Sequence, residues 1–148
     1  MFNDAIKMTG NLKLVLTDEN GNIKQEEEVK NLVVTVGKNF IASRMKDATA
    51  TAMTHMEVGT GTTAAAVGDT TLQTAVASSR VTLTSTTVTT NSVAYVATFP
   101  AGTGTGALTE AGIFNAASAG TLLCRTVFSV INKGAADTLG ITWTVTVN

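Results

Sequence analysis

Residues 139–147 read Leu-Gly-Ile-Thr-Trp-Thr-Val-Thr-Val, and the fold class turns on this stretch. Ile141, Trp143, Val145 and Val147 fall on one side of an extended chain, and Thr142, Thr144 and Thr146 on the other. A period of two with β-branched residues on both sides describes a strand with one face toward a core. The same pattern recurs toward the N-terminus. Residues 121–130 and 110–115 form two apolar segments on either side of a small-residue turn at Ala119-Gly120. Val93, Tyr95, Ala97 and Phe99 alternate within residues 93–99, and Asn91-Ser92 separates them from a threonine-rich strand over residues 80–90. Leu12, Leu14 and Leu16 alternate near the start of the chain. The Asn20-Gly21 pair that follows is a strong hairpin signal, with a return strand beginning at Ile23. The acidic run Glu26-Glu27-Glu28 on that strand reads as a solvated face that discourages aggregation.

One segment departs from this period. Phe40, Ile41, Met45 and Ala48 share a face with helical spacing, so residues 38–48 are expected to form a short amphipathic helix over the β structure. Residues 53–59 read as a further strand, and residues 61–77 as a long surface excursion with a helical turn near Asp69–Leu72. About eight strands with turns every 8–15 residues predict an all-β fold, an antiparallel two-sheet sandwich, jelly-roll-like, with one short helix. Residues 11–148 would be that single domain, and residues 1–10 an N-terminal arm.

Composition narrows the function. The chain has 148 residues, a net charge of −1, 14% charged residues and 28 threonines. The low net charge leaves no basic footprint for nucleic acid. No window is apolar for long enough to span a membrane as a helix. The start, Met1 to Lys7, has no basic segment leading into an apolar one, so a cytoplasmic site of synthesis is expected. Cys124 is the only cysteine and His55 the only histidine, too few for a disulfide framework or a closed metal site.

Catalytic motifs are equally thin. Gly59-Thr-Gly-Thr-Thr-Ala64 matches the letters of a dinucleotide fingerprint without the βαβ context that gives those letters meaning. Asp18 to Asn22 has its glycine one place early for a calcium loop and lacks the final glutamate. Cys124 with His55 could be drawn as a nucleophile pair, and Glu57, Asp69 and Glu110 as acid–base carboxylates. Cys124 nevertheless sits in a strand, where cysteine acts as a small core residue. Sugar recognition would require an exposed aromatic platform, whereas alternation places Tyr95 and Trp143 on inward faces. No enzyme, cofactor or metal is expected.

One resemblance rises above composition. Its first block is residues 53–72, with Val58-Gly-Thr-Gly61 followed by Asp69-Thr-Thr-Leu72. A second is residues 99–115, containing Thr109-Glu-Ala-Gly-Ile-Phe114, and a third is Gly120-Thr-Leu-Leu-Cys-Arg-Thr-Val-Phe128. Ile131-Asn-Lys-Gly134 and residues 139–147 complete it. In this order the blocks resemble small β-sandwich virion proteins of tailed bacteriophages. These are the capsid decoration or cement proteins, with similarity to modules that attach tail fibres.

The resemblance implies a non-enzymatic protein of the particle, on the head surface in preference to the tail. There it would bind the major capsid protein and copies of itself as a dimer or trimer, bridging subunits to stabilise the head. Tail proteins are the alternative partners. The expected contact residues are Phe2, Ile6 and Met8 on the arm, Gly59, Gly61 and Asp69 in the first glycine loop, and Gly102 and Gly104 in the second. Sparse charge after residue 48 fits surface destined to be covered by other subunits.

Overall fold

The computed structural model describes residues 4–46 and 50–148. The strands are β1 (Met8–Thr17), β2 (Ile23–Val33), β3 (His55–Gly59), β4 (Val81–Thr82), β5 (Ser85–Thr89), β6 (Ser92–Phe99), β7 (Gly106–Phe114), β8 (Leu122–Lys133) and β9 (Thr138–Val147). Among the described residues there is one helix, α1 (Thr35–Lys46), between β2 and β3.

The two-sheet sandwich does not form. All nine strands belong to one antiparallel sheet in the order β4-β3-β7-β8-β2-β1-β9-β6-β5, curled into a half-barrel. The join that makes one sheet of two halves is narrow. Leu32 pairs with Arg125 and Val33 with Cys124, and β2 and β8 share no other rungs. Alternation tells which way each side chain points but not which strands are neighbours. Two rungs at the end of β2 therefore settle what the strand count left open.

Curling brings the inner faces together. Leu12, Leu14 and Leu16 from β1 and Ile141, Trp143 and Val145 from β9 join Tyr95, Ala97 and Phe99 from β6 in one core. Met56, Val58, Ile113, Cys124 and Phe128 enter the same core from the other half of the sheet. β1 is held on both sides, with ten rungs to β9 from Met8↔Val147 to Thr17↔Thr138 and a hairpin to β2. Its turn is closed by Asp18, whose Oδ1 accepts the Asn20 and Asn22 N–H groups at 2.9 Å, with Gly21 at φ +84°.

Several local expectations change for identifiable reasons. Residues 80–90, read as one strand, divide between the two edges of the sheet. β4 pairs with β3 and β5 with β6, and only Leu83 and Thr84 separate them. Leu83 N–H bonds to Thr54 O at 2.8 Å while Thr84 N–H bonds to Val96 O at 2.7 Å, so the chain changes partner between adjacent residues. Residues 69–72 form no helical turn, because Asp69 N–H closes a tight turn onto Ala66 O at 3.0 Å. The helix begins at Thr35, ahead of the expected Lys38, and its expected last residues, Asp47 and Ala48, lie outside the described residues. Phe40 and Ile41 pack on the core, but Met45 points to solvent with 81% exposure.

α1 owes its position to a glycine. Gly37 is buried, and a Cβ there would lie 2.1 Å from the carbonyl oxygen of Leu123 on β8. Gly37→Ala is expected to lift the helix off the strand and cost about 1–3 kcal/mol or more of stability, as over-packed sites do. Gly68→Ala, where a Cβ meets nothing within 4 Å, should be neutral or slightly stabilising. Paired urea denaturation curves of the two variants check this.

Candidate functional site

The outer face of β3, of the second half of β7 and of the first half of β8 is not open to solvent. The loop over residues 60–79 folds back across it. Leu72 joins Val34, Phe114 and Leu122 in a small second core, and Gly59 forms a bridge to Ala75. Strand alternation puts Glu110, Gly112 and Phe114 on this outer face, and Ala111 and Ile113 on the inner one. Arg125 stands opposite Gly112 on the neighbouring strand, so its side chain meets that of Glu110 diagonally.

Beneath the loop these two form a buried ion pair. Glu110 is fully buried, Arg125 is 2% exposed, and Arg125 Nε donates to Glu110 Oε2 at 2.8 Å. The carboxylate also accepts the backbone N–H groups of Gly61 (3.1 Å), Gln73 (3.0 Å) and Thr74 (2.7 Å). Arg125 Nη1 donates to Asp69 Oδ2 at 2.8 Å and Nη2 to the Thr63 carbonyl at 2.9 Å. Asp69 in turn accepts the Ala66 N–H at 2.9 Å. Burial by itself would raise the Glu110 pKa, but the Thr74 and Gln73 N–H groups and Arg125 outweigh it and hold the carboxyl below its ordinary range. Burial likewise works against the Arg125 charge, and Glu110 and Asp69 more than restore it.

Glycine is required where the loop meets the carboxylate. A Cβ on Gly59 or Gly61 would come within 2.5 Å of Glu110 Oε1. Gly59, Gly61 and Asp69, proposed from sequence as contacts to a partner, are thus gathered around one internal ion pair.

The other proposed contacts lie elsewhere. Gly102 and Gly104 have φ of +81° and +63° in the β6–β7 loop, which is tied down by Gly102 N–H to Ala135 O at 2.8 Å. Lys133, also buried, supports that loop by donating to the Pro100 and Asp137 carbonyls at 3.0 and 2.7 Å. Met8 is in β1 and pairs with Val147, and Lys7 exchanges backbone hydrogen bonds with Asn148 at 3.0 and 2.7 Å. Part of the arm therefore continues the sheet. Ile6 is 72% exposed, and Phe2 lies outside the described residues.

The groups drawn as catalytic are placed differently. His55 Nδ1 and Nε2 sit beside the hydroxyls of Thr54 (2.7 Å) and Thr82 (3.4 Å). Cys124 is buried, and burial pushes its thiol well above the ordinary range, so little reactive thiolate forms. Glu57 is paired with Arg80 at 2.8 Å, and the Arg80 guanidinium stacks 3.6 Å over the Phe114 ring. Trp143 is buried and Tyr95 nearly so, which leaves neither as a sugar platform. Among the described residues, no group of three or more His, Cys, Asp or Glu could hold a metal ion.

Arg125 was not singled out by the sequence reading, although a signal for it exists. From residue 81 to residue 132 the chain carries two charged residues, Glu110 and Arg125, of opposite sign. Two isolated charges of opposite sign in an otherwise uncharged stretch are natural partners if both are buried. No family model matches the chain, and no curated protein or solved structure matches it.

The depressed Glu110 pKa fixes the direction of the acid response. The contribution of the pair to stability is complete above the ordinary carboxyl value of 4.5 and drains away as pH falls through the lower folded-state value. Glu110→Ala should cost about 3–5 kcal/mol at neutral pH and flatten the acid limb of a stability-versus-pH curve. A Glu110→Leu, Arg125→Met double variant should stay destabilised, because three loop N–H groups lose their acceptor. Recovery of the double variant to wild-type stability would contradict this account.

Proposed function

We propose that this chain is a non-enzymatic structural protein of a tailed-phage particle. In this reading it is a decoration or cement protein on the head surface that binds the major capsid protein and bridges neighbouring subunits. The observation that carries the reading is where the resemblance blocks meet. Val58-Gly-Thr-Gly61, Asp69-Thr-Thr-Leu72, the Glu110 block and the Arg125 block, far apart in sequence, converge on one buried network. The shared pattern is then a device that locks a loop onto a sheet. Its polar groups are spent on one another and on the loop backbone, which suits a scaffold better than a reaction centre.

The surface also supports a protein that works by being covered. Residues 81–109 contain no charged side chain, and the outward positions of β9 are Thr138, Gly140, Thr142, Thr144 and Thr146. An uncharged, β-branched face costs little to desolvate, whereas a charged one carries a large penalty.

The test is the copy number in purified particles together with the heat resistance of heads stripped of the protein. A copy number that follows the capsid-subunit count, with heads that rupture at lower temperature once stripped, is the expected result. A copy number matching a tail or neck ring, or an unchanged rupture temperature, would overturn the head-stabilising role. The first of those outcomes would point to fibre attachment.

A further inference from the structure

The two edges of the sheet are treated differently. At one edge β4 has only two residues, and beyond it the loop covers β3 through the Thr60 N–H to Thr74 O bond at 2.8 Å and the Val76 N–H to Val58 O bond at 3.0 Å. At the other edge is β5, Ser85-Thr-Thr-Val-Thr89, five residues long and exposed at every position. Among the described residues, no strand pairs with its outer side. It also carries none of the usual protection for such an edge: no lysine, no other charge, no proline and no bulge to its partner β6.

From this we infer that β5 is a self-pairing edge, and that two copies of the chain join through it as an antiparallel, two-fold symmetric dimer with one continuous sheet. The sequence of β5 is suited to its own copy. With the two-fold axis at Thr87, Thr87 faces the partner's Thr87, Thr86 faces the partner's Val88, and Ser85 faces the partner's Thr89. Each of these is a cross-strand pair that sheets accept, with no like charges opposed.

The apolar groove beside β5 supplies a second reason. It encloses about 320 Å³, and Thr86 and Val88 line it together with Phe40, Met53, Tyr95 and Val145. Directly opposed residues in an antiparallel pair point to the same face. Pairing at Thr87 therefore sets Thr86 and Val88 of both copies on the groove side and makes the two grooves continuous. Val88, 71% exposed in the single chain, would then be covered.

This deepens the proposed cement role by naming a surface for the self-association that the resemblance implies, and it is tested on the isolated full chain, apart from any particle. Sedimentation should show a dimer. Thr87→Lys and Thr87→Glu should each weaken self-association several-fold, since like charges would face each other across the axis. Mixing the two variants should restore a dimer. Thr87→Cys should form a disulfide-linked dimer under mild oxidation, with Cys124 buried and silent, whereas Thr98→Cys on the exposed side of β6 should not. Circular dichroism of each variant confirms that it is folded. A wild-type monomer, a dimer indifferent to both charges, or equal cross-linking by the two cysteine variants would overturn the inference. A dimer found with no head-surface location would preserve it and count against the cement reading alone.

Discussion

Two opposite charges sealed under a threonine-rich loop set the terms for half of this sheet. Removing a carboxylate and a guanidinium from water costs several kcal/mol each, and their attraction repays that only when every remaining lone pair and proton is matched. All three Arg125 side-chain nitrogens and both Glu110 oxygens find partners here, through one another, the backbone of Gly61, Thr63, Gln73 and Thr74 and the side chain of Asp69. The loop is therefore a component of the ion pair, and its path follows from the positions of the donors. The glycines at 59 and 61 follow as well, since the backbone must approach closer to the carboxylate than any side chain would permit.

That arrangement explains why Glu110–Phe114 of β7 and Leu122–Thr126 of β8 are buried on both faces although the described residues form only one sheet. An antiparallel sheet usually leaves one face to water. Here the inner face of β7 contributes Ala111 and Ile113 to the main core, while its outer face holds Glu110 and Phe114 beneath the loop. The opposite half of the sheet has no such cover: its outward residues are charged on β1 and β2, with Lys13, Glu26, Glu28 and Lys30, and threonine at Thr142, Thr144 and Thr146 of β9. The low charge of the chain is thus divided between two causes. Some of it reflects strand segments covered on both faces, and the rest a bare, uncharged surface on β5, β6 and β9.

Much of the strand pattern was legible from residue order. The alternation through Leu12 to Leu16, Tyr95 to Phe99 and Ile141 to Val145 identified the inward residues, and all of these are in the core. The hairpin at Asn20-Gly21 was equally plain, because the turn type and its glycine are local. The candidate site was half legible. Glu57, Asp69 and Glu110 stand out as carboxylates near glycines and suggest acid–base chemistry, whereas nothing local marks Arg80 and Arg125 as their partners. A partner across 15 or more residues leaves no local trace, and only the isolation of Glu110 and Arg125 in an uncharged stretch hinted at their union.

By itself, then, the sequence determined most of the extended segments, the inward residues of β1, β6 and β9 and the hairpin turn at Asn20-Gly21. These properties depend on neighbours within a few positions. Tertiary structure alone decided that the strands form one curled sheet and not two, that residues 80–90 divide between its edges, and that β5 is left bare. The physical reason is that side-chain alternation is identical in a sandwich and in a half-barrel. The difference lies in which backbone groups hydrogen-bond across long loops, and here it rests on two rungs between β2 and β8.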